Sequence, residues 1–102
     1  MALDQRKVSL ISQFLEQSFV GCSIYDHELV DRNAQLYEVV DDTSEKILHR
    51  LFVSYEFLDD HADAKIVPAL ENLDLITSLM LAEGRRVVVR SETIEIEMEE
   101  NA

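Results

Sequence analysis

Between Lys46 and Gly84 the chain carries its most apolar alternating run and, beyond a proline, its most apolar helical run. Any fold open to this sequence has to bury both. Ile47, His49, Leu51, Val53 and Tyr55 fall on one side of a strand, and Leu48, Arg50, Phe52 and Ser54 on the other. Such alternation of β-branched and aromatic residues is a strand signal. Leu48 and Phe52 make the second side partly apolar, which predicts a central strand covered at least in part on both faces. Pro68 marks the next boundary. Its missing N–H costs nothing in the first turn of a helix, so a helix is predicted from Val67 or Pro68 up to Gly84. Glycine suits the left-handed residue past a helix end, and Arg85 and Arg86 suit the negative end of the helix dipole.

On a helical wheel at about 100° per residue, Ile66, Leu70, Leu73, Ile76, Met80 and Leu81 form one broad stripe. Leu75 and Leu79 lie on roughly the opposite side. A helix lying on one small sheet needs a single apolar stripe. The second pair therefore calls for cover by the N-terminal helix, cover by another chain, or plain exposure. Leu75 and Leu79 are accordingly the candidate residues for a subunit interface.

The remaining elements follow the same logic. Val8, Ile11, Leu15 and Phe19 recur at helical spacing, with Phe14 beside them, and predict an amphipathic helix over Leu3–Phe19 that ends at Gly21. Residues 23–30 (SIYDHELV) read as a weak strand, Asp31–Asn33 as a turn and Gln35–Val40 as a better strand. Asp41-Asp42-Thr43-Ser44 is turn chemistry between two apolar runs, so residues 35–40 and 46–55 form an antiparallel hairpin. Phe57–Lys65 reads as a loop, or a short helical turn capped by Ser54. Arg86–Arg90 and Thr93–Met98 are strands; the second alternates Ile94, Ile96 and Met98 with Thr93, Glu95 and Glu97. Ser91–Glu92 lacks the glycine or asparagine of a tight hairpin, which leaves one long bent strand as the alternative. Residues 99–102 are expected to fray. The predicted fold is α+β: an antiparallel sheet of four to five strands with two helices packed on one face, in the order α-β-β-β-α-β-β, forming a single domain over residues 1–102.

Charge narrows the function classes. There are 21 Asp and Glu against 9 Lys and Arg, a formal net charge of −12. Nucleic acids and anionic membranes recruit Lys and Arg clusters, so neither is an expected partner. A basic protein partner is compatible with the charge. The lone cysteine, Cys22, excludes an internal disulfide or a multi-cysteine metal site. No apolar run has the length of a membrane span, and the N-terminus does not read as a secretory signal, so a cytoplasmic location is expected.

Candidate chemistry is sparse. Asp59, Asp60, His61 and Asp63 are the only dense set of metal-ligand types, but they lack the glycine and closing glutamate of a calcium loop; solvated loop charges are the simpler reading. His49, on the apolar side of the central strand, is a candidate ligand or base residue, with Tyr25, Tyr37 and Tyr55 as possible neighbours; a cross-strand core histidine is the simpler reading. Cys22 follows a helix end, where the dipole raises a thiol pKa, and reads as a small core residue. Arg86 and Arg90 share a strand face and suit a carboxylate or phosphate, or else pair with Glu95 or Glu97. Glu92, Glu95, Glu97, Glu99 and Glu100 form a one-sided row that imitates a phosphate backbone or simply solvates an edge. There is no phosphate loop, no catalytic triad pattern and no zinc spacing, and no cofactor is expected. The expectation is a non-enzymatic interaction module of inhibitor, immunity or adaptor type that self-associates as a homodimer. The alternatives are a ligand-binding or enzymatic domain with a pocket near His49, and an acidic decoy for a basic nucleic-acid-binding protein.

Overall fold

The structure, a computed structural model, describes residues 5–97. The chain forms α1 (Gln5–Ser18), β1 (Cys22–Leu29), a 3-10 turn (Val30–Arg32), β2 (Ala34–Asp41), β3 (Ile47–Ser54), α2 (Tyr55–Asp60), α3 (Asp63–Asn72), α4 (Leu75–Ala82), β4 (Arg86–Val89) and β5 (Ile94–Ile96). It is an α+β fold whose five strands lie in sequence order, β1-β2-β3-β4-β5. The first three form an antiparallel meander, and β4 and β5 pair antiparallel. Between them β3 and β4 run parallel. The expected all-antiparallel sheet is thus corrected to a mixed one. A parallel pair needs a long crossover, usually helical, and α2 to α4 supply it.

The expected two helices become four. Residues 55–60 take the helical alternative, with the Ser54 hydroxyl accepting from the Phe57 N–H at 3.2 Å. Pro68 does not start a helix but sits inside α3. It removes one helical N–H, and the carbonyl thereby released belongs to Ala64, which is exposed and open to solvent. The long helix then breaks at Asp74, which adopts the left-handed conformation (φ 56°), one that Asp tolerates better than most residues. The Asp74 N–H closes α3 on the Glu71 carbonyl at 3.0 Å, and the Asp74 carbonyl accepts the first bond of α4 from Ser78 at 3.0 Å.

This break rotates α4 relative to α3 and changes which leucines go inside. Leu75 and Leu79 are 1% and 0% exposed within the single chain, whereas Met80 and Leu81 are 63% and 66% exposed. The wheel for one unbroken helix put Met80 and Leu81 in the main stripe and Leu75 and Leu79 opposite it, with cover from the same chain as one of three readings; in the structure Leu75 and Leu79 are inside and Met80 and Leu81 outside. The cover over Leu75 and Leu79 is intrachain. Both belong to the core shared with Leu51, Val53, Val87 and Val89 of the sheet. At its other end α4 closes as expected: Arg85 Nε donates to the Ala82 carbonyl at 2.9 Å, after Glu83 and Gly84 both take positive φ.

All four helices pack on one face of the sheet. Val8, Ile11 and Leu15 of α1, Phe57 and Leu58 of α2, Ile66 and Leu70 of α3, and Leu75, Leu79 and Ala82 of α4 enclose Tyr37, Leu51, Val53, Val87 and Val89. Ile94 and Ile96 of β5 pack against the same core, as their alternation with Glu95 predicts. Met98 lies outside the described residues. The 90–93 connection forms a hairpin, with the Arg90 N–H bonded to the Thr93 carbonyl at 2.9 Å, so the bent-strand alternative is not taken. Residues of opposite parity point to the other face, where none of the described helices lies: Phe52 and Val88 are buried yet stand apart from the helix-side core.

Candidate functional site

Strand register decides which side chains meet, because directly opposed residues share a face. On the helix side, Tyr37 pairs with Asp26 and Leu51, and Val39 with Ile24 and His49. On the open side two rows cross the sheet. Tyr25, Glu38, Arg50 and Arg86 form one; His27, Leu36, Phe52, Val88 and Glu95 form the other.

The four aromatic and imidazole candidates do not gather. Tyr37 is fully buried, and its hydroxyl donates to the Val8 carbonyl at 3.2 Å, tying α1 to β2. Burial, with Asp26 nearby, drives its pKa far above the ordinary tyrosine value. Tyr25 is 54% exposed on the opposite face. Tyr55 opens α2, and its hydroxyl donates to Glu28 at 3.1 Å; partial burial and that carboxylate raise its pKa. His49 lies on the helix side at the α1 and α4 end. Its ring is 5.0 Å from that of Phe19, centroid to centroid. Nδ1 is buried with no hydrogen-bond partner among the described residues. Burial lowers the His49 pKa below 6.5, against an opposing contact with the Leu79 backbone.

The Asp59–Asp63 set also diverges. Asp60 accepts from the Ser91 hydroxyl in the β4–β5 turn, and Asp63 pairs with Arg6 of α1 at 3.4 Å. His61 Nδ1 lies 2.8 Å from the Phe57 carbonyl of its own helix, its ring 4.3 Å from the Phe57 ring. Asp59 is exposed. The end of α2 and the start of α3 fan these groups apart where a loop would have let them converge. Among the described residues no group of three or more His, Cys, Asp or Glu is placed to hold a metal ion. Cys22 is half-buried at the start of β1, its thiol pKa raised by burial and by Asp41 and Asp42.

Two members of the carboxylate row are engaged. Glu95 pairs with Arg90 at 3.2 Å, and Glu97 with Arg32 at 3.1 Å. Glu92 is exposed, and Glu99 and Glu100 lie outside the described residues. The Arg86–Arg90 couple suggested by the sequence is therefore divided. Arg90 has its own carboxylate, while Arg86 stands beside Arg50 across the parallel pair.

Two features escape sequence reading. One is a guanidinium canopy over Phe52: the Arg32 carbon centre lies 4.4 Å from the ring centroid and that of Arg86 6.0 Å. Phe52 is 5% exposed although none of the described helices covers it. Arg32 arrives from a 3-10 turn closed by Asn33 in the left-handed conformation, and no spacing in the sequence joins it to Phe52. The other is a set of exposed apolar side chains at one end of the molecule. Val20 follows α1, Ile47 and Leu48 begin β3, and Met80 and Leu81 end α4. The Asp42 N–H bonds the Gly21 carbonyl at 3.1 Å, and Gly84 abuts the Leu48 carbonyl, which brings these segments to the same end. A bulge helps to expose them. Val39 pairs with His49 but Val40 with Ile47, so Leu48 is the extra residue and Ile47 turns to the open face.

No known protein family, curated protein or solved structure matches this chain. Among the described residues no helix is long and apolar enough to cross a membrane.

Proposed function

We propose that this chain is a one-domain, non-enzymatic interaction module that works in the cytoplasm and pairs with a second copy of itself. What carries the reading is one end of the molecule, where Val20, Ile47, Leu48, Met80 and Leu81 are each exposed, Met80 and Leu81 on the outer side of α4 and Ile47 on the open face of the sheet. Apolar side chains concentrated at one place mark contact surfaces more often than scattered ones do. With Leu75 and Leu79 committed to the chain's own core, Met80 and Leu81 take over as the helical residues of the contact. The acidic surface elsewhere keeps the assembly soluble and confines association to this end. Light scattering coupled to size-exclusion chromatography tests the proposal. The wild-type chain is expected to run as a dimer. The Met80→Glu, Leu81→Glu double variant is expected to run as a monomer with an unchanged circular dichroism spectrum. A wild-type chain that stays monomeric at high concentration overturns it.

A second reading keeps a small ligand at His49. It is favoured by one observation, the buried Nδ1 that has no partner among the described residues, beside the Phe19 ring. A buried polar atom left unpaired is costly and calls for a partner. Under this reading an added hydrogen-bonding ligand shifts the His49 and Phe19 NMR signals together and leaves those of Tyr25 unmoved.

A further inference from the structure

We infer that the open face of the sheet holds a binding site for a carboxylate group, built by Arg50 and Arg86 with Arg32 and Phe52 beside them. Four observations lead there. First, Arg50 and Arg86 are direct register neighbours on the parallel pair β3–β4, where strands lie about 4.8 Å apart. Like charges set directly opposite one another across strands are destabilising, so this arrangement gains from an anion placed between them.

Second, among the described residues no carboxylate pairs with both Arg50 and Arg86. Glu97 is the register neighbour of Arg86, as the bond from the Glu97 N–H to the Arg86 carbonyl at 2.8 Å shows. Its side chain turns instead to Arg32, with both oxygens within 3.3 Å of one guanidinium nitrogen. Glu38 lies nearer to His27, at 3.3 Å, than to Arg50, at 3.8 Å. Arg86 is exposed and forms no ion pair among the described residues.

Third, the local charge selects the ligand. Among the described residues, three guanidiniums against the carboxylates of Glu38 and Glu97 leave one uncompensated positive charge, in a chain whose net charge is −12. A single carboxylate neutralises that excess. A phosphate dianion overshoots it and meets Glu38 and Glu97 on either side. The planar fork of a guanidinium matches the two oxygens of a carboxylate.

Fourth, the surroundings suit a flat apolar body attached to the carboxylate. Tyr25 stands exposed in the same cross-strand row, two strands from Arg50, within reach of an extended aromatic body, while the buried Phe52 ring in the next row underlies the Arg32 and Arg86 guanidiniums and fixes their position. The site differs from the apolar end that carries the proposed self-association, and neither depends on the other.

The test is a titration of the isotope-labelled chain with benzoate, followed by NMR at low ionic strength, with inorganic phosphate as the competing probe. Benzoate is expected to shift the backbone signals of Arg50, Phe52 and Arg86 in a saturable way and to bind more tightly than phosphate. Removing a charge-assisted contact by Arg86→Gln is expected to weaken benzoate about tenfold or more. Arg90→Gln, which breaks only the pair with Glu95, is expected to leave it unchanged. Phosphate binding more tightly than benzoate overturns the carboxylate assignment. The absence of saturable shifts, or an Arg86→Gln variant that binds benzoate as the wild type does, overturns the site.

Discussion

On the helix side of the sheet, Tyr37, Leu51, Val53, Val87 and Val89 are enclosed by apolar side chains from all four helices. On the other side, Phe52 reaches nearly the same burial beneath arginines, with ion pairs ranged around it. Equal burial thus has two origins. One face excludes water by close packing, where every removed atom leaves a void. The other does so with the stems and planes of charged side chains, which move and readmit water when a neighbour is trimmed. A position's exposure alone does not report its energetic weight.

Phenylalanine truncation breaks the comparison most directly. Phe57→Ala, on the packed side, is expected to cost about 3–5 kcal/mol in urea unfolding. Phe52→Ala is expected to cost about 1–2 kcal/mol, since Arg32 and Arg86 collapse into the space and little beyond the transfer free energy is lost. Equal costs would erase the distinction between the faces. Helix α4 offers the same contrast within a few residues. Leu79→Ala is expected to lose about 2–5 kcal/mol, and Leu81→Ala no more than about 0.5 kcal/mol in the monomer.

A third test uses pH. In the folded chain His49 binds its proton less readily than at its ordinary value of 6.5, because burial disfavours the charged ring. Its neutral form therefore contributes stability that is fully present above that value and is lost as the pH falls toward the folded-state value. Urea midpoints at about pH 7.5 and about pH 5 should differ in that direction, and His49→Gln should reduce the difference. Another small effect belongs to the open edge. Arg90→Gln removes an exposed pair with Glu95 and should cost about 0.2–1 kcal/mol, vanishing in high salt. A larger, salt-insensitive loss would mean that ion pairs on the open face contribute as much as packing does.

Local chemistry was legible where it acts on near neighbours. The Ser54 cap, the Asp41–Ser44 turn, the Ile94–Ile96 alternation and the Gly84–Arg85 helix end all depend on residues within a few positions. In the turn, the Thr43 N–H and the Ser44 hydroxyl bond the Asp41 carboxylate and hold its pKa below the usual range. What escaped depends on one backbone torsion or on distant pairing. A single left-handed residue at Asp74 exchanged the inner and outer leucines of the crossover, and nothing in its composition requires a break. The bulge at Leu48 turned Ile47 off the face its alternation assigned. Tyr25, Tyr37, Tyr55 and His49 were grouped by chemical type, whereas register with Glu38, Asp26 and Val39 assigns Tyr25, Tyr37 and His49 to different faces and rows. Arg32 reaches Phe52 only because β2 and β3 are paired, and Arg86 reaches Arg50 only because β4 joins β3 in parallel.

That parallel join also governs how the chain comes together during synthesis. The β1–β3 meander closes through short turns and can form as soon as it leaves the ribosome, at little loop-closure cost. Strand β4 cannot dock until the whole helical crossover has emerged. Through that interval the outer rim of β3 offers unpaired N–H and C=O groups along Arg50–Val53, a template for the wrong strand from another nascent chain. The crossover that completes the sheet thus also sets how long the unfinished molecule is open to aggregation.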